Sequence, residues 1–213
     1  MNPVVTISGG GIIGNYISSR LNNNNIKTLV IEKSPADLSD KENIRTLTLN
    51  SYSKELLDDL GINIDYAEIK KINVFDGEGT GKIDFSSDEI HSENLSYVVY
   101  FNDLQSVLKR KEQERTLFEE EIKRFKEDGV NKSCEILLSK DKKITSQFIA
   151  GCDGRNSNVA KLASLNPISS DYNQTAITFT AKSSLKDLTI AHQIFSERGI
   201  FAIMPLPLTT EES

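Results

Sequence analysis

The spacing of apolar positions changes period several times along the chain. Val4 to Ser8 is a short run rich in β-branched residues and predicts a buried strand. Ile13, Ile17 and Leu21 then recur at helical spacing, with Ile12 and Tyr16 beside them, and predict the apolar face of a helix. Four asparagines, Asn22 to Asn25, end that helix. Thr28 to Glu32 predicts a second strand, which Ser34-Pro35 interrupts. Helical spacing returns from Ser51 to Leu60, with Gly61 where a C-terminal cap belongs. Residues 69–101 read as sheet, through Ile72, Val74 and Phe75, then Ile83 and Phe85, then Tyr97 to Phe101. Asp103 to Lys111 is again helical.

The charge-rich run Glu112 to Asp128 has high helix propensity, and a short strand from Leu117 to Phe125 competes with it. Cys134 to Ser139 and Ile144 to Ala150 predict a hairpin around Lys140-Asp141-Lys142, followed by a short helix from Ser157 to Ser164. Residues 174–208 are strand-rich, in the stretches TAITFTA, IAHQIF and GIFAIMPLP. The order describes an α/β domain interleaved with a mostly antiparallel sheet.

Charge narrows the partners. The net charge of −6 argues against nucleic acid and against tight docking on anionic lipid. No apolar run approaches the ~18 residues of a membrane span. The N-terminus reads straight into a strand, without a basic region followed by an apolar one. Cys134 and Cys152 have no metal-ligand spacing and read as two reduced thiols in a cytoplasmic protein; His91 and His192 are isolated.

Gly9, Gly11 and Gly14 form G-x-G-x-x-G between the first strand and the first helix. Gly9 permits the tight turn, Gly11 lets the backbone approach a pyrophosphate, and Gly14 lets the helix pack close to the sheet. The pyrophosphate belongs on the helix N-terminus, where free N–H groups and the dipole favour an anion. Glu32, 21 residues after Gly11, ends the second strand and is placed to accept hydrogen bonds from an adenosine ribose. An acid there fits the free 2′-hydroxyl of FAD or NAD and disfavours a 2′-phosphate; this unit alone leaves the two open.

Three further segments resemble the flavin-dependent aromatic hydroxylases of the para-hydroxybenzoate hydroxylase fold, and among them the ubiquinone-biosynthesis hydroxylases. Asn43-Ile44-Arg45-Thr46-Leu47-Thr48-Leu49-Asn50 resembles the stretch whose arginine contacts FAD, and Arg45 is the matching position. Tyr97 to Tyr100, running into Asp103-Leu104-Gln105 and Leu108, is similar to the passage back into the FAD domain. Phe148 to Ser157 is the most specific, an apolar strand followed by Asp153-Gly154, two residues and Ser157, which in the family lies near the FAD pyrophosphate. The family's arginine three residues after that serine is here Ala160, with Lys161 next, and a lysine replaces only part of an arginine's pairing. Gly199 to Pro207 resembles a substrate-domain strand ending in a proline-leucine pair.

The resemblance implies a Rossmann-like FAD-binding domain (1–70 and 100–168) interleaved with a partial substrate-domain sheet (71–99 and 169–213). It implies FAD as cofactor, NAD(P)H as transient reductant, and O₂-dependent hydroxylation of a phenolic, prenylated ring. It admits peripheral membrane association or a place in a ubiquinone-biosynthesis complex. Family members continue past this point with a second Gly-Asp motif, and no Gly-Asp-Ala/Pro segment follows Asp153-Gly154. The expectation is therefore a truncated monooxygenase. A catalytically inactive fragment that keeps the nucleotide-binding fold and an NAD-dependent dehydrogenase are the alternatives.

Overall fold

The computed structural model describes residues 2–36, 45–165 and 167–207. Asn43, Ile44 and the segment Thr209 to Ser213 lie outside the described residues. The chain divides into two compact units, Met1–Lys41 with Gln105–Ala176 and Glu42–Leu104 with Ile177–Ser213. Both are α/β in composition, with one parallel sheet and three sheets that are wholly or mainly antiparallel.

The first unit is built on β1 (Val5–Ser8), α1 (Ile12–Asn23) and β2 (Thr28–Glu32). β1 pairs in parallel with β2, Ile7 opposite Val30, and their side chains are buried almost throughout. Burial on both faces is why these strands read as continuous apolar runs instead of alternating ones.

α1 forms where its spacing predicts, but it turns the other way round. Ile13, expected on the packed face, is 62% exposed. The buried positions are Gly14, Asn15, Ser18 and Ser19. The cause is the closeness of helix and sheet. A Cβ at Gly14 would sit 1.9 Å from the Gly9 carbonyl oxygen, so only small side chains fit that side.

In the second unit, β3 (Thr46–Leu49), β4 (Ala67–Ile69) and β7 (Ser96–Tyr100) form an antiparallel sheet with β7 in the middle. α2 (Ser51–Asp58) starts on Asn50, whose side chain accepts from the Ser53 N–H at 2.8 Å. It ends at Gly61, with φ +67; the Gly61 N–H reaches Asp58 O and the Ile62 N–H reaches Leu57 O. That is a Schellman closure with Ile62 and Leu57 both buried. β5 (Lys71–Asp76), β6 (Lys82–Ser86), β13 (Ile190–Ser196) and β14 (Gly199–Ile203) form the other sheet, ordered β14-β13-β5-β6. Ala67, Ile69, Val98 and Ala191 make one buried cluster of this unit.

α3 (Phe101–Glu112) leads back into the first unit, where the charge-rich run is settled in favour of strands. β8 (Thr116–Phe118) joins β2 in parallel, and β9 (Ile122–Asp128) pairs with β10 (Ser133–Leu138). β9 is an edge strand, where exposed charges are at home and blunt further pairing. The expected second hairpin strand, Ile144 to Ala150, is two strands. β11 (Lys143–Ser146) pairs with β10, and after Gln147, β12 (Phe148–Gly151) pairs in parallel with β1. The parallel sheet therefore reads β12-β1-β2-β8. Leu29, Ile31, Ile122, Ile136, Leu138, Ile144 and Val159 close the core between β2, the β9–β11 sheet and α4 (Asn158–Leu162). Residues 175–181, predicted as strand, form none; Ile177 and Phe179 there are exposed.

Candidate functional site

β1 ends in a turn held from both neighbouring strands. The Gly9 N–H donates to Ile31 O at 2.8 Å, and the Cys152 N–H donates to Ser8 O at 2.7 Å. Gly9 has φ +102, and a Cβ there would lie 2.4 Å from Cys152 O. It needs glycine for its conformation and for its space. Gly14 presses on the turn from behind. Gly11 differs from both, with open space around the position a Cβ would take.

Gly11 is also the N-cap of α1, in extended backbone, and makes no side-chain cap. The first turn of α1 carries no acid. The N–H groups of Ile12, Ile13 and Gly14 precede the first intrahelical bond, from Asn15 N to Gly11 O. This helix start thus presents amide donors and the positive end of a dipole to open space. Asn15, buried inside, donates from Nδ2 to Gly10 O at 2.8 Å and fixes the turn to the helix.

A cleft of about 410 Å³ opens in front of the turn, lined by Gly9, Gly11, Glu32, Lys33, Glu120 and Asp153 among others. Three of these carboxylates are bonded to the protein's own donors. Glu32 accepts from the Gly10 N–H at 2.6 Å through one oxygen and from the Ser34 N–H at 2.8 Å through the other. Each oxygen keeps a second lone pair, so a ribose hydroxyl fits there too. Glu120 accepts from Ser139 Oγ and the Lys140 N–H. Asp153 accepts from Ser157 Oγ, from the Asn158 N–H at 2.7 Å and from the Val159 N–H at 3.1 Å. Burial pushes the Asp153 carboxyl up, but those bonds outweigh it and hold the group below the ordinary carboxylate range. Cys152, beside it, is a free thiol pushed up by burial and then by the Asp153 charge. It meets the cleft as a neutral group.

Four of the expected residues, Gly9, Gly11, Glu32 and Asp153, thus share one cleft, with Gly14 behind them. Arg45 belongs to the second unit. It is exposed, and its guanidinium lies 4.1 Å from the centroid of the Phe101 ring. Gly10, Asn15 and Glu120 escape a reading of the sequence. The only trace of Asn15 is a polar side chain directly after the last glycine of the motif. Glu120 is hidden in a run of three glutamates.

The chain matches the FAD binding domain family over residues 2–212. Among curated proteins it is similar to the mitochondrial ubiquinone biosynthesis monooxygenase COQ6 of Dictyostelium discoideum, 26% identical, covering 85% of this chain and 43% of that protein. Among solved structures its fold is similar to that of PqsL, a probable FAD-dependent monooxygenase from Pseudomonas aeruginosa. The TM-score is 0.76 at 13% identity, covering 98% of this chain and 58% of that one. A singly substituted form of Klebsiella pneumoniae HpxO complexed with FAD gives a TM-score of 0.71 at 13% identity, again over 98% and 58%. The chain spans about half the length of the curated relatives it matches. It belongs to the FAD binding domain family, whose cofactor is FAD. The turn fits that group through the open approach at Gly11, the uncapped start of α1 and the acid closing β2. Among the described residues no helix is long and apolar enough to cross a membrane.

Proposed function

We propose that this chain is the FAD-holding part of a flavin-dependent monooxygenase that hydroxylates a phenolic, prenylated ring with NAD(P)H and O₂. The observation that carries FAD binding is the space in front of Gly11, facing first-turn amides that no acid and no side-chain cap occupies. The hydroxylation chemistry rests on the named relatives, a ubiquinone biosynthesis monooxygenase and a probable FAD-dependent monooxygenase. FAD, when bound, supplies the redox chemistry with O₂; the protein binds it, orients it and excludes water. In this reading Gly9 and Gly11 receive the pyrophosphate, with Gly14 keeping the helix close. Glu32 accepts from the adenosine ribose, and Asp153 shapes the far wall through the amides it holds. In this reading Arg45 contacts the bound FAD. Residues 1–70 with 100–168 would form the FAD-binding domain, and 71–99 with 169–213 the substrate part.

Gly11→Ala tests the binding half. Its backbone, φ −75 and ψ −173, suits alanine, and the new methyl meets no protein atom within 4 Å. The substituted chain is expected to unfold at the wild-type denaturant concentration yet bind FAD at least tenfold more weakly by quenching of flavin fluorescence. Equal affinity in the two proteins would remove the pyrophosphate from this turn. The catalytic half is tested by phenol-dependent NAD(P)H oxidation with the hydroxylated product identified by mass. A chain that binds FAD but forms no such product has the binding function alone.

A further inference from the structure

The buried side of α1 has no large apolar residue to seat it. Gly14, Asn15, Ser18 and Ser19 are its buried residues. What fastens the helix is a carboxylate from the end of α3. Glu112 is 1% exposed and is not part of the nucleotide cleft. Its Oε2 accepts from Ser18 Oγ at 2.5 Å and its Oε1 from Ser19 Oγ at 2.6 Å. Arg115 Nη1 stands 3.4 Å from Oε1 at the rim. Ser18 Oγ lies 2.7 Å from Thr28 Oγ1 of β2, and Asn22 Nδ2 donates to that same Thr28 oxygen at 2.5 Å.

A carboxylate can only accept, so the direction of every bond follows. Ser18 donates to Glu112, Thr28 donates to Ser18, and Asn22 donates to Thr28. This one-way chain ties α3, α1 and β2 together, and Ser18 and Thr28 are themselves buried. Glu112 thereby fixes the rotation and axial position of α1. Ser18 is seven residues beyond Gly11, about 10 Å along a rigid helix. Little slack exists between helix and turn, because Gly14 abuts Gly9 O and Asn15 holds Gly10 O. A shift at the Ser18 end therefore reaches the amides that face the cleft.

We propose that Glu112 is a positioning residue for the dinucleotide, acting through Ser18 and Ser19 on the orientation of the α1 N-terminus. The proposal rests on the FAD-binding reading for its ligand, and its tests separate the two. Glu112→Gln keeps the shape but turns one acceptor into a donor, so one serine bond must reverse. Ser18→Ala, Ser19→Ala and Glu112→Met combined replace the carboxylate and both serines that donate to it with apolar groups, while Thr28 Oγ1 still accepts from Asn22 Nδ2. Such replacements often leave stability intact, whereas stranding one buried partner does not.

Hydrogen exchange on the FAD-free chain is the first readout. In Glu112→Gln the amides of residues 10–15 are expected to exchange faster, with those of β9 to β11 unchanged. Flavin-fluorescence titration is the second, with affinity about tenfold weaker, the size expected for one hydrogen bond to a charged group. The triple variant is expected to unfold closer to the wild-type midpoint than Glu112→Gln does, while keeping the fast exchange and the weak affinity. Recovery of all three together would reduce the cluster to a stability element. Unchanged exchange over residues 10–15 in Glu112→Gln would overturn the proposal whatever FAD does. A wild-type chain that fails to bind FAD would instead defeat the binding reading, with the exchange result still deciding the role of Glu112. If the triple variant does not fold, Ser19→Ala, which removes a single donor, is read in the same two ways.

Discussion

Three glycines within six positions do unequal work, and alanine at each reports a different constraint. At Gly14 the added methyl would fall 1.9 Å from Gly9 O, a backbone atom that cannot rotate away. The helix must back off β1, opening the turn and the packing together. Gly14→Ala is expected to destabilise the chain by about 1–3 kcal/mol in a urea titration, and to abolish FAD binding. Loss of binding without loss of stability would mean the helix can retreat freely. Asp153 makes a prediction in pH. Its folded-state pKa is lowered, so its contribution to stability is present in full above the ordinary carboxylate range. That contribution declines as pH falls below about 4, toward the lowered folded value. Wild type should therefore exceed Asp153→Ala in unfolding midpoint at pH 7, and the gap should shrink as pH falls toward 3. A constant gap would deny that the carboxylate charge holds the start of α4.

At the scale of elements, β1, α1 and β2 are legible because a strand run, a glycine turn and a helix period follow each other at the right lengths. The closure of α2 is legible too, and it is testable. Gly61 sits at φ +67 with nothing within 4 Å of the position a Cβ would take, so alanine there meets strain but no clash. Gly61→Ala is expected to cost about 1–2 kcal/mol, with Gly61→Asn recovering part of it in the same denaturant titration. The face of α1 was not legible from hydrophobic spacing. Ile13, Ile17 and Leu21 make a good apolar stripe, but the nearness of the sheet admits only glycine, asparagine and serines. The strand β9 is hidden by its own charges, which suit an edge. Within residues 144–150 the polar run Thr145-Ser146-Gln147 is the trace of the passage from β11 to β12, too short to separate from the alternation of one strand. TAITFTA has a strand composition but no partner strand among the described residues, and composition alone cannot supply one. Of the site, Gly9, Gly11, Gly14, Glu32 and Asp153 carry their own motifs. Glu112 carries none, since its role exists only once α3 is brought to α1.

At the scale of the molecule, the second unit exposes apolar surface among the described residues. In the β14-β13-β5-β6 sheet, the register places Ile83 opposite Val74 and Phe85 opposite Ile72, and Phe195 opposite Ile200 and Asp76. Cross-strand partners point to one side of a sheet, so Ile83, Phe85, Phe195 and Ile200 share a face. Their exposures run from 45% to 64%. β14 lies at the end of the sheet order and carries no charged residue between Gly199 and Ile203, so no charge of its own blunts its edge. An apolar face beside an unblunted edge draws chains together. The 213-residue chain is therefore expected to self-associate reversibly, its weight-average sedimentation coefficient rising with concentration. Phe85→Lys with Ile200→Lys should suppress that rise, because each lysine places a charge on the face that would be covered. Phe179→Lys, equally exposed but outside the sheet, should leave the rise unchanged. A sedimentation coefficient independent of concentration in the wild-type chain would show that this face does not pair with itself. A rise that survives the double lysine substitution would place the association elsewhere on the surface.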